Sequence, residues 1–298
     1  IITMSAAREI ANLRSIPTAG NILLDYTAGD AITSGACNIA MGENALGAAT
    51  DNCYNIAIGQ SALAASVNDG DQNIAIGTTA LGGTDVSGSY NVVIGSSSAD
   101  ALTSGGYNIA MGLNALGAAT TGNDNVAIGQ LALGAGVTTG AVNIAIGKNA
   151  ADAVTSGACN VAIGENALGA TITGSNNVAI GKDAYGAASI GHKNIAIGCV
   201  AMSGITTGQA DENIAIGTYS LSGNANTTGN RNIAIGYAAF DAITTGACNI
   251  AIGENALGAS TTGLQNIAIG RLALGGEDTT GADNIAMGTN SADAMTSG

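Results

Sequence analysis

The sequence predicts an all-β chain, a repetitive parallel β-solenoid of about 17–19 residues per coil, and three observations predict it. The pattern Asn-[Ile/Val]-[Ala/Val]-[Ile/Met]-Gly begins at Asn38, Asn55, Asn73, Asn91, Asn108, Asn125, Asn143, Asn160, Asn177, Asn194, Asn213, Asn232, Asn249, Asn266 and Asn284, fifteen times in 298 residues. The fourteen intervals are seventeen residues eight times, eighteen four times and nineteen twice. Self-similarity at such a period marks stacked structural units. Glycine stands at 46 residues against a single proline, and the branched Ile runs with those glycines speak against a helical repeat.

Residues 1–20 carry two of the seven bases and Pro17, and read as an irregular or short helical lead-in that caps the first coil. The solenoid then occupies 21–298 in about 16 coils, with "NILLD" at Asn21 as a degenerate first copy. Within Asn-Ile-Ala-Ile-Gly the two Ile are expected to face the core, with Asn, Ala and Gly on the opposite face. Two variable residues follow, then a small residue (Ala45, Ala62, Ser98, Ala115) and usually a large apolar one (Leu46, Leu63, Leu116, Tyr185, Met202, Phe240), a pattern that reads as a second, shorter strand. Thr-Thr-Gly or a relative turns the chain. The Gly three residues before the anchor Asn, present in thirteen of fifteen copies, is expected to take positive φ. One coil buries too little to offset its ordering entropy, so the coils must share a core. At a strand spacing of about 4.8 Å, fifteen coils would give a rod on the order of 70 Å long. The anchor asparagines are expected to stack as a ladder.

The remaining strand face, a stripe of small uncharged residues, lets another backbone approach closely. Charged residues are only 9% of the chain, against about a quarter in ordinary soluble domains. Both features predict an obligate oligomer packed side by side. The closing "SADAMTSG" matches "SADALTSG" (98–105), which leads into another copy, so the repeat is expected to continue beyond 298.

The unit Asn-[Ile/Val]-Ala-Ile-Gly-x-x-Ala resembles the head repeat of trimeric autotransporter adhesins, and is closer to the "NTAIGYNAL…TTG" repeats of phage tail fibres and related bacterial fibre proteins. The likeness covers about residues 21–298. It departs in period, since the adhesin repeat is shorter, and in carrying Ile where the adhesin motif has Ser. The resemblance implies a homotrimeric fibre of parallel β-rolls, extracellular, on a virion tail or alternatively a bacterial cell surface. Its expected role is mechanical: a shaft that projects binding surface towards a host receptor or glycan, multivalently. The longer coils place their extra residues in turns at 64–72, 203–212 and 222–231; those loops, with Tyr219, Tyr237 and Arg231, are the candidate receptor contacts.

Composition excludes other classes. A net charge of −14 argues against nucleic acid, which demands basic patches, and against an anionic membrane surface. No apolar run is long enough to span a bilayer as a helix. The five cysteines, at 37, 53, 159, 199 and 248, show no zinc spacing and read as tolerated side chains, with disulfides as the alternative. The lone His192 lacks a catalytic partner, and "IGKN" (146–149) and "IGKD" (180–183) are incomplete phosphate loops, so no enzyme and no cofactor are expected. Asp51, Asp69, Asp71, Asp124, Asp211, Glu212, Glu277, Asp278 and Asp283 fall in turns. They read as solvated rim charges, with calcium the alternative ligand. Two further solenoid classes fit less well. Ice binding would need flatter Thr ranks, and a hexapeptide acyltransferase would need a six-residue rhythm and a catalytic His.

Overall fold

The computed structural model describes residues 13–14, 20–67, 70–170, 173–187, 190–204, 210–223 and 227–297. The chain forms two compact units, Ile1–Val142 and Asn143–Gly298. The first holds β1 (Leu13–Arg14), β2 (Ile22–Leu24), β3 (Ile39–Met41), β4 (Ile56–Ile58), β5 (Ile74–Ile76), β6 (Val92–Ile94), β7 (Ile109–Met111) and β8 (Val126–Ile128). The second holds β9 (Ile144–Ile146), β10 (Val161–Ile163), β11 (Val178–Ile180), β12 (Ile195–Ile197), β13 (Ile214–Ile216), β14 (Ile233–Ile235), β15 (Ile250–Ile252), β16 (Ile267–Ile269) and β17 (Ile285–Met287). In the first unit β2 to β8 pair in sequence, all parallel and in register, as Ile39↔Ile56 and Ala40↔Ala57 illustrate. In the second, β9 to β17 do the same. Each unit is therefore a parallel β-solenoid with one three-residue strand per coil, and no helix occurs among the described residues. The helical reading of 1–20 falls outside the described residues, except that Leu13–Arg14 is strand and pairs antiparallel with Leu23–Leu24.

Numbering each coil from its anchor Asn as position 0, the pleat is the reverse of the sequence expectation. The Ala at position 2 is fully buried in coil after coil, as are the anchor Asn side chains, whereas the Ile at positions 1 and 3 face outward, many of them 36–38% exposed. The small-residue stripe thus fills the solenoid's own interior. The second strand is also absent: positions 6 to 8 form a tight arc. In coil after coil the residues at 6 and 8 take left-handed φ, as at Asn44 (58°) and Leu46 (52°), and so does position −1, as at Cys37 (59°). The arc still bonds from coil to coil, Leu46 N–H to Ala62 O at 3.0 Å and Ser61 N–H to Glu43 O at 2.9 Å. Those bonds offset the roughly 1–2 kcal/mol that a left-handed L-residue costs.

The glycines divide two tasks. At position 4 they hold φ near +130°, as in Gly181 (133°). At position −3 the backbone is ordinary. There the reason for Gly is space, since a Cβ on Gly157 would lie 2.3 Å from Gly174 O in the next coil.

The core is balanced within each coil between positions 8 and 11. Leu46 sits with Ala49, Leu63 with Ser66, and Leu116 with Ala119. The order is reversed in Ala99 with Leu102 and Ala151 with Val154, and all ten are fully buried or within 1% of it. The first coil shows why: a Cβ on Gly29 at position 8 would come 2.8 Å from Ile32 Cδ1 at position 11. One space is shared by two columns, and close packing fills it once. Phe240 with Ile243, both fully buried, is a coil that fills both.

Candidate functional site: the isoleucine face and its rims

The buried asparagines form a ladder. In each unit, the Oδ1 of one anchor accepts the backbone N–H of the next at 2.8–3.0 Å. From Asn21 to Asn266 each Nδ2 donates to the carbonyl at position −3 of the following coil at 2.7–3.1 Å. A buried amide needs such partners, and an apolar residue there would strand both a donor and an acceptor. The geometry is architectural: a satisfied amide inside a stack offers nothing to a substrate.

A second ladder runs at position −2, nearer the surface. Cys53 N–H donates to Asp71 Oδ1 (2.6 Å), Gly106 N–H to Asn123 Oδ1 (2.7 Å), Ser175 N–H to His192 Nδ1 (3.0 Å) and His192 N–H to Asp211 Oδ1 (2.8 Å). The single histidine is thus a rung, accepting a backbone proton on one side. Several Thr hydroxyls are spent the same way: those of Thr33, Thr50, Thr103 and Thr244 donate to the next coil's carbonyls at 2.9–3.1 Å. Of the turn acids, Asp71 and Asp211 serve the position −2 ladder. Asp278 accepts from Thr261 N–H at 2.8 Å and from its hydroxyl; Asp69 lies outside the described residues. Among the described residues no three His, Cys, Asp or Glu side chains converge as a metal site. The five cysteines are free thiols, four of them exposed.

An open groove of about 400 Å³ in the second unit is lined by Asp152, Asn166, Asp183 and Ser203 with small residues between them. Asn166 Nδ2 is already given to Asp183 Oδ1 at 3.0 Å. Tyr185 occupies a core position 8, its hydroxyl accepting from Asn194 Nδ2 at 2.8 Å. Burial pushes its phenol well above the usual range, with the Asp211 carboxylate adding to the effect.

What each unit does present is a sheet face. Positions 1 and 3 set two columns of Ile, Val and Met side by side along the stack. In the second unit nine strands at about 4.8 Å make this stripe about 40 Å long and about 10 Å wide, or roughly 400 Å², the size of the largest patch on a typical monomer. Position −1 forms one rim and position 5 the other, six residues apart along the chain and on either side of the three-residue strand.

Charge is distributed unevenly about this stripe. All five bases of the second unit, Lys148, Lys182, Lys193, Arg231 and Arg271, stand on its two rims. The unit's seven acids off the rims, Asp152, Asp183, Asp211, Asp241, Glu277, Asp278 and Asp293, have no base among them. In the eight coils anchored from Asn160 to Asn284, every coil carries one rim charge and never two: Glu165, Lys182, Lys193, Glu212, Arg231, Glu254, Arg271 and Asp283. Glu212 bonds Arg231 (3.0 Å) and Lys193 (3.4 Å), which hold its carboxyl below the usual range. Exposed pairs of this kind add little stability.

The structure pairs two of the three candidate receptor residues. Tyr219 and Tyr237 are exposed and meet edge to face, ring centroids 6.1 Å apart. Arg231 is on the opposite rim, bound to Glu212. A second aromatic pair, missed in the sequence, is Tyr90 with Tyr107, stacked at 4.8 Å on the position −1 rim of the first unit. Their identical repeat position was the available signal. No family model, curated protein or solved structure matches the chain.

Proposed function

We propose that this chain is a segment of a structural fibre shaft, its copies packed as a homotrimer through the isoleucine face, and that it serves as a phage tail fibre projecting binding surface towards a host cell. The observation that carries the assembly is the double apolar column on the outer face of each unit. The sequence reading assigned the contact to the small-residue stripe. That stripe is buried inside each solenoid, so the contact moves to the Ile columns.

The face has the anatomy of an interface, an apolar centre with a polar rim. Its apolar centre spans about 10 Å by about 40 Å in the second unit, which the rims enlarge towards the size of a standard interface. The anchor asparagines and several turn side chains are consumed by the ladders, which suits a spacer. The Asn-Ile-Ala-Ile-Gly resemblance supplies the tail-fibre setting. Receptor contact through Tyr219, Tyr237 or Arg231 belongs to the same proposal, as does an extracellular place on the virion.

The test is the solution mass of the purified chain, by light scattering or native mass spectrometry, beside an Ile180→Lys, Ile197→Lys variant. A trimer that the variant breaks into monomers with unchanged β circular dichroism is the expected result. A monomeric wild-type chain would sink the proposal.

A further inference from the structure

The backbone of the first unit sets Tyr90 and Tyr107 face to face. Both stand at position −1, seventeen residues apart, each one residue before its anchor. The two anchors are tied together: Asn108 N–H and Nδ2 both donate to Asn91 Oδ1, at 3.0 and 3.1 Å, and β6 pairs with β7 as Val92↔Ile109. Each tyrosine's own N–H is bonded to the coil before, Tyr107 to Ser89 O at 3.0 Å and Tyr90 to Asp71 O at 3.2 Å. The rings end 4.8 Å apart with 8° between their planes, yet they are 49% and 61% exposed. Two phenols so placed share a chemistry that neither has alone. A one-electron oxidant takes an electron from one phenol, whose proton leaves to water, and a second oxidation makes the same phenoxyl radical of its neighbour. The radicals join through ring carbons beside the hydroxyls, and the hydrogens on those carbons move to the oxygens, restoring both phenols. With hydrogen peroxide as terminal oxidant, two phenols and one peroxide give one carbon–carbon bond and two waters. Holding the partners together replaces an encounter with an intramolecular step. Exposed side chains reorient within nanoseconds, which supplies the small slide from stacked rings to joined ones.

We infer that Tyr90 and Tyr107 form an oxidative modification site, coupling to dityrosine under a peroxide-driven one-electron oxidant and so stapling two neighbouring coils of the first unit. The other tyrosines lack the arrangement. Tyr54 shares the column, but Gln72 stands between it and Tyr90, which puts the two tyrosines two coil steps or about 10 Å apart. Tyr219 and Tyr237 meet edge to face, 6.1 Å apart at 88°, and Tyr185 is buried. The staple closes a loop of the unfolded chain, which lowers the entropy of that state and stabilises the folded one. Both rings belong to one chain, so the staple needs no second copy.

The test treats dilute purified chain with hydrogen peroxide and a peroxidase and reads dityrosine fluorescence. Asp100 lies between the two tyrosines, so cleavage after aspartate separates them unless they are joined. The expected product runs as a single chain on a denaturing reducing gel and yields one cross-linked peptide pair lighter by two hydrogens. It is also expected to unfold at higher urea than an equally treated Tyr107→Phe variant. Tyr90→Phe and Tyr107→Phe keep the ring and its packing, and each is expected to lose the fluorescence to the level of the double variant, whereas Tyr219→Phe keeps it. Fluorescence that survives Tyr90→Phe or Tyr107→Phe, signal that comes only with covalent multimers, or no coupled peptide at all would overturn the pairing. Native mass of the untreated chain tells the two proposals apart. A trimer that gives no coupled peptide defeats the coupling alone, and a monomer that gives it defeats the assembly alone.

Discussion

Exchanging Leu116 and Ala119 within their coil tests whether the core is filled coil by coil. Both side chains are fully buried. Leu116→Ala alone opens a cavity at position 8 and is expected to cost about 2–5 kcal/mol. Ala119→Leu alone forces extra carbons into a filled space, at about 1–3 kcal/mol. If the two positions were independent, the double variant would lose roughly 3–8 kcal/mol. The neighbouring coil argues otherwise, because Ala99 and Leu102 already carry the exchanged pair with no exposed surface. The double variant is therefore expected within about 1–2 kcal/mol of wild type, as for volume-conserving swaps. Urea unfolding followed by far-ultraviolet circular dichroism gives the three values from midpoints at a common slope. A double variant as unstable as the sum of the singles would refute the shared-space account.

The polar and backbone devices make further predictions. Asn177→Ala should cost more than a surface substitution, about 2 kcal/mol or more, because Asn194 N–H and Gly191 O each lose a partner; thermal unfolding reads it. Gly181→Ala should be worse than an ordinary helix-surface change. Its φ is +133°, and a Cβ would lie 2.5 Å from Gly198 O, so loss of soluble folded protein is the expected outcome. In the first coil Asp25 holds φ 137° where later coils use Gly. Asp25→Gly should relieve about 1–3 kcal/mol of strain and slow proteolysis at that coil. Burial raises the carboxyls of Asp100, Asp152 and Asp241, so the folded chain holds those protons more tightly than the unfolded one. Their contribution is complete below the unfolded pKa and is lost as pH rises through the raised folded values. Changing all three to Asn should remove that decline, so that the variant's melting temperature gains on wild type as pH rises through the carboxylate range.

Much of the architecture was legible because the period is a covalent fact. Fifteen recurrences of one pentapeptide leave few folds, and each strand begins one residue after its anchor Asn, from Ile39 to Ile285. The arc at positions 6 to 8 was not legible. Leu46 and Leu63 look like strand residues by type, and nothing in a leucine announces φ near +50°; coil-to-coil bonds impose it. Glycine frequency likewise marked position −3 without revealing its reason, a carbonyl 2.3 Å from where the Cβ of residue 157 would stand. The stacked Tyr90 and Tyr107 were legible only to a reader comparing columns, since they are seventeen residues apart.

The pleat is the instructive failure, because the deciding signal was present. Alternation divides a strand into two faces without saying which is inside, and hydrophobicity alone chose Ile for the interior. Phase chooses differently. Positions −1 and 5, where Lys193, Glu212, Arg231, Lys182 and Glu165 stand, are in step with the Ile positions 1 and 3. Positions 0 and 2 hold Asn and Ala almost without variation. A charge in a solenoid interior one residue-layer thick could not be solvated, so the face in phase with the charges must be outside. The interior then has to accept Asn and Ala, small enough for a narrow coil and, through the amide ladder, polar without penalty. It follows that the larger branched residues are retained on the outside for a reason other than the core of a single chain, and contact with another copy supplies one.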